Sequence, residues 1–168
     1  MISRLNEPMF FVGCDIRNLD YLPGQNDPYI GSVVDWPAHI TLIPPVRERT
    51  DELPEDIFEA FRAIGSRTTP ITVASLRDAQ FGKNGEVLVT IVEDLKVLHF
   101  ALIGILHSYG YDGRYPDEFT GRRFNAHTSR TSDALPPSST IALNSMSIFR
   151  RRNGHQYIQE RIAFSRTE

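Results

Sequence analysis

The stretch AHITLI, residues 38–43, combines apolar and β-branched residues with a single histidine. This composition predicts a β-strand, in which side chains at positions i and i+2 point to the same face. His39 and Thr41 therefore share one face of the strand. Ile40 and Leu42 share the other face and are expected to pack in the core. We expect the strand to stop at the two prolines that follow, because proline cannot donate to a sheet ladder.

A second histidine tripeptide, His127-Thr128-Ser129, lies in the other half of the chain, within residues 123–130 that also have the pattern of a strand. Here His127 and Ser129 share a face, and Thr128 points the opposite way. Each strand thus offers one imidazole and one hydroxyl in the same direction. If the two strands face each other across a groove, they form a site of two imidazoles and two hydroxyls.

The remaining sequence places these two strands in an α+β fold. The predicted elements are strands at 9–16 and 38–43, a helix at 54–65 that ends on Gly65, a hairpin of 70–80 with 86–93, a helix at 94–109, a strand at 123–130 and a hairpin of 140–149 with 155–164. Mostly antiparallel sheets with helices packed outside fit this order better than a doubly wound parallel sheet. Because one motif falls in each half, we expect a single domain over residues 1–168. It would have two pseudo-symmetric lobes, whose two sheets face a central cleft.

Composition restricts the classes of protein to which the chain could belong. With 168 residues, 40% of them hydrophobic and 23% charged, it has the profile of a soluble globular domain. No apolar stretch reaches the ~20 residues that a membrane helix needs, so we expect a cytoplasmic monomer without membrane contact. A single cysteine, Cys14, excludes an internal disulfide and a cysteine-based zinc site. The net charge of -3 argues against coating nucleic acid through bulk electrostatics.

Two imidazoles and two hydroxyls suit phosphoryl chemistry without a metal or cofactor. One neutral imidazole can take a proton from an attacking water, and the other, as imidazolium, can protonate the departing oxygen. The hydroxyls can donate hydrogen bonds to the non-bridging phosphate oxygens, where charge must be held. Since the two imidazoles must hold opposite proton states, we expect a bell-shaped pH–rate profile.

The two motifs also carry a family resemblance. HITL (39–42) and HTSR (127–130) resemble the paired H-x-[T/S]-x motifs of the two-histidine (2H) phosphoesterase superfamily, which includes the bacterial 2′-5′ RNA ligase-like proteins and the cyclic phosphodiesterases. FFVGCDI (10–16) resembles the family's first strand, and WPAHITL (36–42) its entry to the first motif. LNSMSIFRRRNGHQYIQERIAF (143–164) is similar to its closing hairpin. The likeness therefore extends over most of the chain.

This resemblance implies a bilobal fold of antiparallel sheets around a cleft, and hydrolysis or transfer at cyclic phosphates or oligonucleotide linkages. Carried over by position, His39 and His127 would be the acid/base pair. Thr41 and Ser129 would bind the phosphate. Arg130 stands where the family often has an apolar residue after the hydroxyl.

Further side chains are candidates for substrate contact. Phe81 and Tyr157 could stack on a base, because every base presents a π-face. Arg130 could reach a phosphate, since guanidinium suits bidentate contact. His99 and His107 lie on the apolar helix and are expected to pack there.

Three classes of function are compatible with these residues. The first is a phosphodiesterase without cofactor or metal that acts on a nucleotide or RNA end, at a 2′,3′-cyclic phosphate, a 2′-5′ linkage or a cyclic oligonucleotide. The second is a nucleotide- or RNA-binding module of the same fold that has lost turnover, although such a module need not retain both imidazoles. The third is a histidine-ligated metal hydrolase, which would need a third ligand at suitable spacing. Activity in excess EDTA separates the first class from the third.

Overall fold

The computed structural model describes residues 9–16, 39–47, 54–81, 84–85, 87–111, 121–129, 138–153 and 155–165. Its strands are β1 (Met9–Asp15), β2 (His39–Arg47), β3 (Ile71–Phe81), β4 (Val87–Val92), β5 (His127–Ser129), β6 (Thr140–Leu143), β7 (Ser145–Arg152) and β8 (His155–Ala163). Its helices are α1 (Glu55–Arg67), α2 (Lys96–Ser108) and a 3₁₀ turn at Gly121–Arg123. The strands form two antiparallel four-stranded sheets, which confirms the predicted α+β class.

The first sheet has the strand order β2-β1-β7-β8. One of its faces belongs to the main core, which also includes residues of both helices and of the second sheet. The fully buried strand residues of that face include Phe10, Val12, Ile40, Leu42 and Ile148. The opposite face carries a separate small apolar cluster of Phe11, Phe149 and Ile158. Because this second face also carries His39, we refer to it as the cleft face of the first sheet.

The second sheet has the strand order β5-β4-β3-β6. β3 and β4 form the predicted hairpin, with a register shift between Ser75 and Arg77. The buried side chains Val73 and Val92 belong to the same main core as the first sheet. β5 lies at the edge of this sheet, where its backbone pairs with β4.

Helix α1 covers the outer side of the first sheet with one apolar stripe. Its buried residues include Ile57, Phe58 and Phe61. The prediction that this helix ends at Gly65 is wrong, since it continues to Arg67. Gly65 instead marks a close approach between the helix and β8, because a Cβ there would collide with the side chain of Ile162.

Strand β2 also runs beyond its predicted end. It passes through Pro44 and Pro45 and ends at Arg47. Successive nitrogens of a strand point to opposite edges, so one proline nitrogen can lie on the side of this edge strand that has no ladder, and the other falls where the pairing with β1 is irregular. The pairing with β1 shifts register between Phe10 and Gly13, opposite this part of β2.

Helix α2 holds Leu98, His99, Leu102 and Leu106 in the interior. The carboxylate of Asp94 accepts a hydrogen bond of 2.7 Å from the first helical N–H, that of Lys96. α2 contacts β2 and the 3₁₀ turn. In the described part of the chain, neither α2 nor any other helix is long and apolar enough to cross a membrane.

Candidate active site

The first histidine strand has the alternation that its sequence predicts. Ile40 and Leu42 are fully buried in the main core. His39 and Thr41 are half-buried on the cleft face. Thr41 pairs directly with Gly13 of β1. A Cβ at Gly13 would come within 2.9 Å of the Ile40 carbonyl oxygen, so glycine permits the close approach of β1 and β2 beside His39.

His39 lies against an aromatic surface. Its ring centroid is 4.9 Å from that of Phe11 and 5.6 Å from that of Phe149, with interplanar angles of 42° and 41°. Phe11 and Phe149 stack on each other at 4.4 Å and 5°. The His39 ring is therefore packed against an aromatic pair that limits its orientation on the cleft face.

The second histidine strand is short and also alternates as predicted. Thr128 is buried, while His127 is half-buried and Ser129 is exposed. His127 pairs with Ile91 and Ser129 pairs with Val89, so both point to one face of the second sheet. We refer to it as the cleft face of the second sheet.

The surroundings of His127 differ from those of His39. Its Nδ1 lies 2.7 Å from the Asn125 carbonyl oxygen. A carbonyl can only accept, so Nδ1 carries the proton and Nε2 holds the lone pair of the neutral ring. Burial lowers the pKa of His127 below its ordinary value, and the hydrogen bond to Asn125 opposes that shift. The neutral imidazole is thus the resting form at neutral pH.

The two strands meet where the sheets adjoin. β2 and β5 are edge strands of different sheets, and they contact each other. Each carries its histidine at the first position and its hydroxyl two residues later. The fold thus brings the two motifs to one junction, although they are far apart in the sequence.

Of the other predicted contact residues, the structure describes Phe81 and Tyr157. The Phe81 ring lies edge-on to the His127 ring, with centroids 4.6 Å apart. Tyr157 pairs with Arg150, which pairs with the core residue Phe10, so Tyr157 lies on the face opposite the cleft. This placement does not support its predicted stacking on a base. Arg130 lies outside the described residues.

Sequence reasoning missed one line of residues on the cleft face. The register aligns Thr41, Gly13, Ser147 and Arg161 across four strands. Ser147 is fully buried, and its Oγ has no hydrogen-bond partner within the described structure. Arg161 is 8% exposed, a rare burial for a guanidinium. The sequence shows only an arginine next to the apolar Ile162. The face to which the Arg161 side chain points depends on a register shift in β8.

The remaining histidines and the cysteine do not form a metal centre within the described residues. In those ranges, no three histidine, cysteine, aspartate or glutamate side chains come together as metal ligands would. The prediction that His107 packs on the apolar helix is wrong, since this side chain is exposed, and His155 is exposed as well. Cys14 is a buried thiol of β1.

Comparison with known proteins confirms the resemblance at the level of the fold. The sequence matches no family model and no curated protein. TT0787 of Thermus thermophilus superimposes with a TM-score of 0.62 at 14% identity, over 95% of this chain and 100% of that one. A structure described as a phosphoesterase gives 0.60 at 17%, over 94% and 99%. E. coli LigT in complex with NADP+ gives 0.59 at 14%, over 96% and 99%. The chain therefore shares its fold with these three structures along nearly its whole length.

Proposed function

We propose that this protein is a metal-independent phosphodiesterase that hydrolyses a cyclic phosphate or an oligonucleotide phosphodiester by two-histidine acid/base catalysis. The observation that carries this proposal is the junction of β2 and β5, which presents His39 with Thr41 and His127 with Ser129 on contacting edge strands. The fold likeness to LigT and to a phosphoesterase supports the same conclusion.

The surroundings of His127 support the role of general base, because burial keeps its ring neutral and Asn125 holds the proton on Nδ1, so that Nε2 is the accepting nitrogen. His39 is then the general acid, because it is the other imidazole carried by the contacting strands β2 and β5. Two groups with opposite proton states at one pH are what general acid/base catalysis requires.

The reaction then follows in one displacement. Water gives a proton to Nε2 of His127 as its oxygen bonds to phosphorus. The bond from phosphorus to the leaving oxygen breaks, and His39 gives its proton to that oxygen. The products are a phosphomonoester and a free hydroxyl group. The two imidazoles return to their starting states by proton exchange with solvent.

Hydrogen-bond donors on both cleft faces would hold the phosphate. Thr41 and Ser129 donate to the non-bridging oxygens, where negative charge must be stabilised. Arg161, in line with Thr41 on the first sheet, adds positive charge. Strands of one sheet lie ~4.8 Å apart, so about 14 Å separate these two backbones. The arginine side chain spans part of that distance, so its positive charge would attract the phosphates of an oligonucleotide bound along this face.

A nucleoside next to the scissile phosphate would meet Phe81. The ring of Phe81 lies beside His127 and is half-buried, so one part of it remains accessible to a base. Complexes of E. coli LigT with 3′-AMP, ATP and phosphate support a nucleotide ligand in a cleft of this fold.

The proposal is tested by offering the purified protein, in excess EDTA, a panel of 2′,3′-cyclic nucleotides, 2′-5′ dinucleotides and cyclic di- and trinucleotides. Products are resolved by mass, which identifies the bond that is cleaved. His39→Ala and His127→Ala are run beside the wild type, with His155→Ala as the control because His155 is exposed. We expect turnover by the wild type and the control, lost in both site variants. Binding without turnover on every substrate would instead support a nucleotide-binding module.

A further inference from the structure

A third histidine, His99 of α2, connects the two histidine strands. It is fully buried. Its Nδ1 lies 2.7 Å from the carbonyl oxygen of Leu42 in β2, one residue after Thr41. Its Nε2 accepts a hydrogen bond of 3.0 Å from the N–H of Gly121. One ring therefore joins β2 to the segment that leads into β5.

The second connection is reinforced by stacking. The rings of His99 and Phe124 are 4.0 Å apart and almost parallel, at 2°. Phe124 is itself buried and lies three residues before His127. Backbone and side chain of the segment that enters β5 are thus both fixed to the same imidazole.

Both hydrogen bonds require one particular form of the ring. The Leu42 carbonyl needs a proton on Nδ1, and the Gly121 N–H needs a lone pair on Nε2, so the ring must be neutral. Protonation of Nε2 would set two donors against each other in the interior. Burial lowers the pKa of His99 below its ordinary value, and the hydrogen bond to Leu42 opposes only part of that shift. The ring is therefore neutral at neutral pH.

Charged side chains on the elements around His99 reach the protein surface. Among the described residues, these are Lys96 on α2, Arg123 beyond Gly121 and Arg47 at the end of β2, and each side chain is at least partly exposed. Arg62 of α1 is directed to Glu55 and Glu160 at the surface.

We propose that His99 is a positioning residue, which sets the distance and orientation between His39 and His127 by fixing β2 and the β5 entry to one neutral imidazole. β2 and β5 belong to different sheets, so a shared anchor determines how the two motifs meet. Its effect on catalysis rests on the proposed phosphodiesterase function. A misplacement of about 1 Å can cost as much as 100-fold in rate.

Two substitutions distinguish the hydrogen bonds of His99 from its stacking on Phe124. His99→Gln keeps one donor and one acceptor about as far apart as the ring nitrogens, and it cannot be protonated. His99→Phe keeps an aromatic ring on Phe124 but has neither hydrogen bond. His107→Gln is the matched control, because His107 lies on the same helix and is exposed.

The first measurement is cleavage of the best substrate at saturating and limiting concentration. We expect His99→Phe to lower kcat by about 10- to 100-fold with little change in KM, and His99→Gln to recover most of it. Equal kcat in wild type and His99→Phe would overturn the proposal. So would a His99→Gln variant that folds as the wild type does but remains as slow as His99→Phe.

The second measurement does not depend on turnover. Inorganic phosphate is titrated while the imidazole NMR signals of His39 and His127 are followed. We expect phosphate to perturb both rings in the wild type, in His107→Gln and in His99→Gln, but only one ring in His99→Phe. If the wild type cleaves nothing, the proposed function fails, and this titration still decides whether His99 holds the two motifs together. Perturbation of both imidazole signals in His99→Phe would overturn the positioning role of His99.

The pH dependence of stability gives an independent signature. Because the folded-state pKa of His99 is lowered, its neutral form stabilises the fold above the unfolded pKa of about 6.5. That contribution is lost as pH falls from about 6.5 toward the folded pKa. We expect the unfolding midpoint to fall less between pH 7 and pH 5 in His99→Gln than in the wild type. An equal fall in both would contradict the neutral-ring anchor.

Discussion

The two histidine strands carry the same pattern of residues but differ in what surrounds their rings. His39 begins a nine-residue strand and lies over the stacked rings of Phe11 and Phe149. His127 begins a three-residue strand and is oriented by a backbone carbonyl in a buried setting that disfavours charge. Two matching motifs therefore lie in different surroundings, and the proposed mechanism gives them different roles, with His127 as base and His39 as acid.

Removal of either imidazole should have the largest effect. General acid/base catalysis contributes about 10²- to 10⁴-fold, and we expect His39→Ala and His127→Ala each to lose activity in this range. The two variants should differ in pH dependence, measured as kcat/KM from pH 4 to 10. His127→Ala should lose the acidic limb, which in the wild type lies below the ordinary histidine pKa of about 6.5.

His39→Ala should instead lose the alkaline limb, because the acid must be protonated. If His39→Ala and His127→Ala lost the same limb of the pH profile, the two histidines would not have the different roles proposed for them. His155→Ala should keep the complete bell-shaped profile, since this histidine is exposed.

The two hydroxyls should come next in size. Loss of one donor to a developing oxyanion costs about 10²- to 10³-fold at most, so Thr41→Val and Ser129→Ala should lower kcat more than they raise KM. Thr72→Val, on an exposed position of β3, is the control. A difference of more than about tenfold between Thr41→Val and Ser129→Ala would show that one lobe holds most of the phosphate charge.

The nucleoside side of the site gives a smaller effect. Stacking of a base on an aromatic side chain contributes about 1–3 kcal/mol, of which leucine retains a part, so Phe81→Leu should raise KM by about fivefold for nucleotide substrates. It should leave kcat nearly unchanged. Tyr157→Leu is the matched control, because the register places Tyr157 on the opposite face. A larger rise in KM for Tyr157→Leu than for Phe81→Leu would contradict the assignment of Phe81, and not Tyr157, to the substrate side.

The smallest effect should come from the aromatic surface under His39. Phe149→Leu removes a ring whose centroid lies 5.6 Å from that of His39 but keeps an apolar side chain, so it should lower kcat by roughly two- to tenfold through looser positioning of the imidazole. Phe100→Leu, on the exposed side of α2, is the control. An unchanged kcat in Phe149→Leu would show that Phe149 does not position His39.

Local periodicity accounts for the part of the fold and site that could be predicted. The alternation around His39 and His127 is a property of consecutive residues, so the face of each hydroxyl followed directly from the sequence. The order of strands and helices indicated the α+β class for the same reason. These features need no knowledge of which strands pair.

Features that depend on pairing could not be predicted. β2 continues through Pro44 and Pro45 because it is an edge strand, which only the sheet order reveals. In β8 a register shift opposite Ile148 and Phe149 turns Arg161 toward the cleft. The role of His99 depends on partners 57 and 22 residues away, so the sequence indicated helix packing alone.

The division of work between the two imidazoles, with His127 as base and His39 as acid, can be read from a substrate whose leaving oxygen is replaced by sulfur. A thiolate departs without a general acid, so such a substrate no longer needs the proton of His39. Cleavage by wild type, His39→Ala and His127→Ala is compared between the sulfur and oxygen substrates, in EDTA. We expect sulfur to restore His39→Ala to near the wild-type rate and to leave His127→Ala slow. Recovery of His127→Ala in place of His39→Ala would reverse the roles, and recovery of neither would contradict the division of acid and base between the two strands.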